Sequence, residues 1–187
     1  FNSGNGTFLL TGATIQTFTS PSTLNIKNLI LNKSGGDLEL NSSLRVNNDI
    51  NLVSESKIEL FTNNLIVGAD GDIYSNLGNS QSFTATKCIS NSSGTLGGAL
   101  IFEINAGNPI QEIRTFPLGT PGVYTPGKIT LNNCSFDPGA FFGMRAIDRE
   151  HPRVETSPAS LTKYWNVFSN NINLSDNGAD LIIYYDP

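Results

Sequence analysis

Between Phe8 and Val67 the chain repeats one short pattern at a nearly constant interval. In each repeat, two inward-facing positions flank one outward-facing residue, and such alternation predicts a short, half-buried strand. The nine triplets are Phe8/Leu10, Ile15/Thr17, Leu24/Ile26, Leu29/Leu31, Leu38/Leu40, Leu44/Val46, Ile50/Leu52, Ile58/Leu60 and Leu65/Val67. Every third triplet returns after 20 or 21 residues, as from Leu10 to Leu31. This regular return restricts the chain to folds built from repeating coils.

The period predicts a three-faced parallel β-helix, or β-solenoid, with about 21 residues per coil and coils stacked about 4.8 Å apart. Turn-forming stretches such as residues 34–36 and 62–64 separate the triplets and provide corners, which leaves no room for helices. An antiparallel sandwich of short strands would alternate too, but it does not predict a constant period. The spacing loosens around residues 68–80, and we expect the solenoid coils to occupy residues 1–88.

Residues 89–187 differ, because the period is lost and longer apolar strands are separated by Gly, Pro and Asn-Gly. This pattern predicts an antiparallel β-sandwich-like domain, with a turn at Asn177-Gly178 before the last strand. A bare terminal coil exposes unpaired backbone groups, so we expect this domain to cap the solenoid. Trp165 fits a core position in it, and an aromatic platform for sugar stacking is the functional alternative.

Stacked coils also align their outward residues. One predicted face aligns Gln16, Glu39 and Glu59, so that two carboxylates lie about 5 Å apart on neighbouring coils. They would repel each other unless Lys57 or Arg45 neutralises them or a Ca²⁺ ion bridges them. The alternative is a solvated pair whose side chains splay apart.

The other two faces carry different outward residues. A second face aligns Asn25, Arg45 and Ile66 and is typical of an ordinary solvent surface. The third face aligns the four residues of a possible contact stripe, which are Leu9, Ile30, Asn51 and Tyr74. Its apolar beginning indicates cover by another segment or a partner surface, and scattered exposed aliphatic residues are the alternative.

Three local patterns approach known functional motifs without completing them. "GVYTPGKIT" (residues 122–130) approaches a phosphate-binding loop, but Ile129 replaces the Mg²⁺-binding Ser or Thr and Pro126 removes a backbone donor. We interpret it as a corner that enters a strand. Residues 70–72, Asp-Gly-Asp, lack the later ligands of a calcium loop and predict a plain turn. The single histidine, His151, supports neither a multi-histidine metal site nor a catalytic triad.

Composition limits the partners and the compartment. The net charge is −5 and only 14% of the residues are charged, which argues against nucleic acid as a partner. A surface rich in Asn, Ser, Thr and Gly is typical of extracellular β-proteins. Cys88 and Cys134 either form a disulfide, as in an oxidising compartment, or lie buried as small hydrophobic residues. The only methionine is Met144, no transmembrane segment is evident, and we expect the chain to be part of a longer parent protein.

Four stretches together carry a family resemblance: "GNGTFLLTGATIQTF", "LNIKNLILNKSGGDLELNSSLRVNNDINL", "FPLGTPGVYTPGKITL", and "LTKYWNV" followed by "ADLIIYY". They resemble the β-solenoid plus β-sandwich regions of large secreted or cell-surface, adhesin-like proteins of Bacteroidetes-type bacteria. Those proteins are commonly exported by the type IX secretion system, and their solenoid regions typically serve as stalks or adhesive modules. The resemblance implies an extracellular location on the outer-membrane exterior and supplies no catalytic motif.

Two functional hypotheses follow. The first is a non-catalytic structural and adhesive module, without a cofactor, that contacts an extracellular glycan or protein surface. The second is a glycan-binding or polysaccharide-degrading β-helix, either a lyase or a glycoside hydrolase. It would use the outward carboxylates Glu39 and Glu59, whose separation approaches that of a retaining glycosidase pair. Arg45, the basic candidate, belongs to a different face, which weakens the second hypothesis.

Overall fold

The computed structural model describes residues 6–76, 81–93, 97–153, 161–175 and 178–185. Regular structure in these residues is entirely β, without a helix, as the sequence predicts. The first twelve strands are β1 (Thr7–Leu10), β2 (Gln16–Phe18), β3 (Leu24–Ile26), β4 (Asn28–Leu31), β5 (Leu38–Leu40), β6 (Leu44–Val46), β7 (Ile50–Leu52), β8 (Ile58–Glu59), β9 (Leu65–Val67), β10 (Ile73–Tyr74), β11 (Ile89–Ser90) and β12 (Leu100–Glu103). The remaining strands are β13 (Gln111–Phe116), β14 (Leu118–Thr120), β15 (Val123–Tyr124), β16 (Gly127–Asn132), β17 (Ser135–Ile147), β18 (Tyr164–Asn173) and β19 (Ala179–Ile183).

Three parallel ladders form the predicted solenoid. Sheet A stacks β1, β4, β7 and β10; sheet B stacks β2, β5, β8, β11 and β14; and sheet C stacks β3, β6, β9 and β12. Leu10 pairs with Leu31, and Leu31 pairs with Leu52, so the period read from the sequence is the register of the coils. The three-faced β-solenoid is therefore confirmed.

Aliphatic columns fill the interior of the coils. Leu31, Leu40, Val46, Leu52 and Val67 are completely buried, and they belong to one continuous hydrophobic core. Alternation places these residues inward and every second residue outward, as a pleated strand requires. Burial of stacked side chains, rather than any local propensity of such short strands, therefore supplies most of the stability.

Polar side chains at the corners join one coil to the next. The Asn28 side-chain oxygen accepts a hydrogen bond from the Asp49 backbone N–H at 3.4 Å, and Asp49 in turn accepts from the Asp72 N–H at 3.1 Å. At another corner, the Ser43 hydroxyl accepts from the Asn64 N–H at 3.0 Å. These bonds satisfy amides that the ladders leave unpaired where the chain turns.

The first strand of sheet B differs from the prediction by one residue. The sequence predicts Ile15 and Thr17 at the inward positions. In β2 these positions are held by Gln16, which pairs with Leu38, and Phe18, which pairs with Leu40. A shift of one residue exchanges the two faces of a strand, and Phe18 has far more apolar surface to bury than Thr17. Ile15 is accordingly 58% exposed.

Parallel stacking continues beyond residue 88, the predicted end of the coils. Ile89 pairs with Ile58, Leu100 pairs with Leu65, and Leu118 pairs with Ile89, all in parallel ladders. Longer connections between these strands conceal the period in the sequence, while the inward residues keep their register. How the chain divides into domains stays a prediction.

The second half adds an antiparallel, sandwich-like layer to the last coil. Strand β17 pairs antiparallel with β12 and extends sheet C, and β18 pairs with β17. Strands β13, β16 and β19 form a separate antiparallel sheet, here sheet D. Ile129 and Leu131 of sheet D are buried in the same core as Phe142 of β17. The turn predicted at Asn177-Gly178 includes a residue outside the described ranges.

The two ends of the solenoid differ. Beyond the last coil, β17 and β18 continue sheet C and sheet D packs in the same core, whereas β1, β2 and β3 are the outermost strands of their sheets among the described residues. In the described part of the chain, no helix is long and apolar enough to cross a membrane.

Candidate functional site

The carboxylates of Glu39 and Glu59 lie on adjacent strands, as predicted. Glu39 of β5 pairs with Glu59 of β8, but the residue aligned with Glu39 in the first coil is Thr17, not the expected Gln16. The shifted register of β2, described above, accounts for this correction.

Glu59 is not a solvated carboxylate. Its side chain is buried, with 7% of the residue exposed, because the segment after β11 crosses over it. The Glu59 Oε1 atom accepts a hydrogen bond from the Ser92 N–H at 2.7 Å and a longer one from the Phe61 N–H at 3.5 Å. Glu59 therefore organises two backbone segments, while Glu39 stays half-buried at the surface.

The two cations considered as neutralising groups pair with other carboxylates. Lys57 Nζ lies 3.7 Å from an oxygen of Asp37. Arg45 forms a bidentate ion pair with Glu103, in which Nε donates at 3.0 Å and Nη2 donates to the second oxygen. The hydrogen bond to Glu103 raises the pKa of the Arg45 guanidinium. Arg45 thus links two strands of sheet C rather than serving the carboxylate pair of sheet B.

A calcium ion at Glu39 and Glu59 stays a prediction. Within the described ranges, no group of three or more His, Cys, Asp or Glu residues is arranged to hold a metal ion. A Ca²⁺ ion usually takes six to eight oxygen ligands. Such an ion would have to draw most of its ligands from backbone oxygens and water, since one Glu59 oxygen already accepts from Ser92.

The contact stripe on the third face has the predicted register but uneven exposure. Leu9 pairs with Ile30, Ile30 pairs with Asn51, and Asn51 pairs with Tyr74. Leu9 is 56% exposed, whereas Asn51 is only 9% exposed. The part of the stripe that is open to a partner is therefore its N-terminal end.

The Asp70-Gly71-Asp72 segment forms the expected turn. The Gly71 N–H donates to the Gly68 carbonyl at 2.9 Å. A Cβ atom at Gly71 would lie 2.1 Å from the Asn48 carbonyl oxygen of the preceding coil, so only glycine fits this corner. Asp72 accepts a hydrogen bond from the Ile73 N–H at 2.8 Å, and burial raises the pKa of its carboxyl group.

Arg114 of β13 closes this turn, and sequence reasoning did not find it. Its guanidinium donates to the Gly71 carbonyl at 2.6 Å and to the Ala69 carbonyl at 2.7 Å. It also pairs with Glu112 at 2.7 Å and lies 5.2 Å from the centre of the Phe102 ring. These contacts join sheet D to the last corner of the solenoid and satisfy carbonyls that no further coil pairs.

The stretch that resembles a phosphate-binding loop forms a corner between strands. Strands β14 and β15 form a hairpin, and β16 begins at Gly127 and continues as a strand of sheet D. Ile129 is buried in the core, and Tyr124 is partly buried against that core. The interpretation as a corner that enters a strand is confirmed.

His151 contacts an aromatic ring and a backbone amide. Its ring lies 4.8 Å from the ring of Tyr164 in an edge-to-face arrangement, and its Nδ1 atom accepts a hydrogen bond from the Arg153 N–H at 3.2 Å. The ring contact places His151 beside Tyr164, the first residue of β18.

Both cysteines are free thiols in buried positions. Cys134 lies within hydrogen-bond distance of the carbonyl oxygens of Asn132 and Gly178. Burial raises the pKa of the Cys88 thiol to about 12. Of the two alternatives open from the sequence, the structure contains buried small side chains rather than a disulfide.

The raised pKa of Cys88 predicts a specific pH dependence. The thiol ionises near pH 8.5 in an unfolded chain and near pH 12 in the folded protein. Its contribution to stability is therefore complete below about pH 8.5 and is lost as the pH rises toward 12. We expect Cys88→Ala to lose less stability than the wild type between pH 8 and pH 10, measured by urea denaturation. Equal losses in the two proteins would contradict a buried thiol.

An open aromatic cleft lies beside the β14–β15 hairpin. It has a volume of about 640 Å³, and the rings of Tyr124, Tyr184 and Tyr185 line it together with Pro126. Trp165 does not line this cleft: it is half-buried against the core, and its Nε1 atom donates to the Thr125 carbonyl at 3.0 Å. Trp165 therefore packs against the core from its edge, and Tyr184 is the exposed ring of the cleft.

No family model matches the chain, and neither the curated proteins nor the solved structures include a match to it.

Proposed function

We propose that the chain is a non-catalytic structural and adhesive module, a rigid stalk or contact region of a large secreted or cell-surface protein. The observation that carries this function is the engagement of its charged side chains in structural bonds. Glu59 binds the Ser92 amide, Arg45 binds Glu103, and Arg114 binds two carbonyls of a corner. Side chains held in this way join strands and coils, which supports a structural role.

Rigidity suits a stalk. Each inner coil buries its inward residues against two neighbours, and corner hydrogen bonds link successive coils along the axis. In a repeat architecture of this kind, the free energy of folding is approximately the sum of the contributions of the individual coils and of the interfaces between neighbouring coils. The open part of the contact stripe at Leu9 and the tyrosine cleft offer two surfaces for adhesion.

The location proposed for this module is the exterior of a bacterial outer membrane, with export by type IX secretion. Support comes from the resemblance of the solenoid and corner stretches to exported adhesin-like proteins. A sparsely charged surface that is rich in Asn, Ser and Thr is consistent with that location.

Glycan binding is the second candidate, and the tyrosine cleft favours it. Aromatic rings present flat apolar faces with a polar edge, which suits contact with sugar rings. Tyr184 is an exposed large side chain of this cleft. Cleavage of a glycan would in addition need Glu39 and Glu59 to act together, and Glu59 is buried beneath the segment at Ser92.

A panel of polysaccharides separates these functions. We expect the wild type to release no reducing ends from any member of the panel and Glu39→Gln to behave in the same way. Any binding should fall at least ~5-fold in Tyr184→Ala, since stacking on an aromatic ring contributes about 1–3 kcal/mol in comparable nucleobase contacts.

Thr130→Ala is the matched control, because this residue lies on β16 in sheet D and outside the cleft. Release of reducing ends that disappears in Glu39→Gln would overturn the non-catalytic assignment. Binding that survives Tyr184→Ala would place the adhesive surface elsewhere, with the stripe at Leu9 as the next site to test.

A further inference from the structure

Among the described residues, the first two coils leave an open apolar mouth at the N-terminal end of the solenoid. Its cavity has a volume of about 300 Å³. The residues that line it come from the first two coils and include Phe8, Leu10, Phe18, Leu24, Leu29 and Leu38. Phe8 is 38% exposed, whereas Leu29, which pairs with it in the next coil, is completely covered. The same inward column is therefore half-open in the first coil and closed in the second.

The backbone at this end is open as well. Strands β1, β2 and β3 are each the outermost strand of their sheet in the described part of the chain. In a parallel ladder, alternate residues direct their N–H and C=O groups to opposite neighbours. The Leu10 carbonyl accepts from the Asn32 N–H of the second coil at 2.9 Å, so the groups of Leu9 point toward the open side.

This end carries none of the charges that normally protect sheet edges. Natural proteins block edge pairing with Lys, Pro or inward-pointing charges, or they cover the edge. Residues 1–26 contain no Asp, Glu, Lys or Arg, and the first charged residue is Lys27. By contrast, at the other end β17 and β18 continue sheet C, and Arg114 of sheet D binds the last corner. An uncharged, apolar edge of three strands is suited to pairing.

We propose that the mouth is a docking surface for one further β-coil, a polypeptide segment with three apolar-x-apolar strands. Its strands would pair in parallel with β1, β2 and β3 and extend the columns that begin at Phe8 and Leu10. The fold alone carries this inference, which does not depend on an adhesive role.

The direction of the strands favours such a coil over a second copy of the chain. The ladders between successive coils are all parallel. Two copies that met mouth to mouth would wind in opposite senses when viewed from one side, so their strands would have to pair antiparallel. A coil of the same kind keeps the parallel register and the spacing of about 4.8 Å between strands.

The chain's own second coil provides the test. In the fused protein, a copy of residues 28–48 replaces residues 1–6. Thr7 then directly follows the copied Asn48, in the position that Asp49 occupies after Asn48 in the natural chain. This register is correct, because Asn28 pairs with Thr7 and Leu29 pairs with Ile50. The matched control carries the same insert with Ser at its six inward positions, the copies of Leu29, Leu31, Leu38, Leu40, Leu44 and Val46.

Hydrogen exchange of the β1, β2 and β3 amides is the primary measurement. We expect exchange to slow at least ~10-fold in the fused protein relative to the unfused chain, and the melting temperature to rise by about 4 °C or more. The Ser control should match the unfused chain in both measurements. Equal exchange in the fused protein and the control would overturn the inference.

Sedimentation of the unfused chain tests the alternative occupant. We expect a monomer whose β1–β3 exchange is independent of concentration. A dimer that protects these amides, and that the fused coil dissociates, would make a second copy the occupant and would also overturn the inference. Neither result bears on polysaccharide binding, so the proposed adhesive role can fail or succeed separately.

Discussion

Replacing Leu52 by Ala is expected to lower the free energy of unfolding by about 2–5 kcal/mol. Leu52 is completely buried and pairs with Leu31 in the central column of sheet A. Coils above and below hold the surrounding backbone, so the cavity left by the side chain can collapse only partly. Urea denaturation followed by circular dichroism measures the loss.

Leu9→Ala is the control for this result. Leu9 belongs to the same sheet and has the same side chain, but it faces outward and is 56% exposed. We expect it to change stability by less than about 0.5 kcal/mol. Similar losses from the two substitutions would mean that the column at Leu52 is not the interior of the solenoid.

Replacing Arg114 by Met is expected to destabilise the protein by about 2–5 kcal/mol, because the carbonyls of Ala69 and Gly71 would lose their charged donor and each unsatisfied group costs about 1–3 kcal/mol. Glu112 would also lose its partner. Met retains much of the aliphatic volume over Phe102, so the loss reports the hydrogen bonds rather than packing. Thermal and urea denaturation measure it.

Two further variants define the role of Arg114. Arg149→Met removes an exposed arginine whose contact with the Tyr164 hydroxyl spans 3.4 Å, and it should be nearly neutral. Arg114→Lys keeps the charge without the planar fork and should recover only part of the loss. Full stability in Arg114→Lys would show that charge alone, and not the two directed hydrogen bonds, closes the corner.

The solenoid was predictable because its signal is repeated. Each inward column has an apolar residue every 20 or 21 positions. This repeat identifies the columns that contain Leu31 and Val46. The same logic aligned Leu9, Ile30 and Asn51 correctly. It failed at β2, where Ile15 and Phe18 offered two possible registers and the volume of the phenylalanine decided between them.

The candidate site was predictable only in part. The pairing of Glu39 with Glu59 follows from the period, but the burial of Glu59 depends on the segment at Ser92, which lies 33 positions further along the chain. The ion pair of Arg45 with Glu103 spans 58 positions and joins two strands of sheet C. Neither contact has a periodic signal, so the sequence offered no way to assign these partners.

By itself, the sequence determined the coil length, the three-faced stacking and the identity of the inward columns, because each is a local pattern repeated at a constant interval. Only the tertiary structure decided which charged residues meet and how the second half packs on the last coil. Those outcomes depend on contacts between residues far apart in the chain, such as Arg114 with Ala69, which no local pattern encodes.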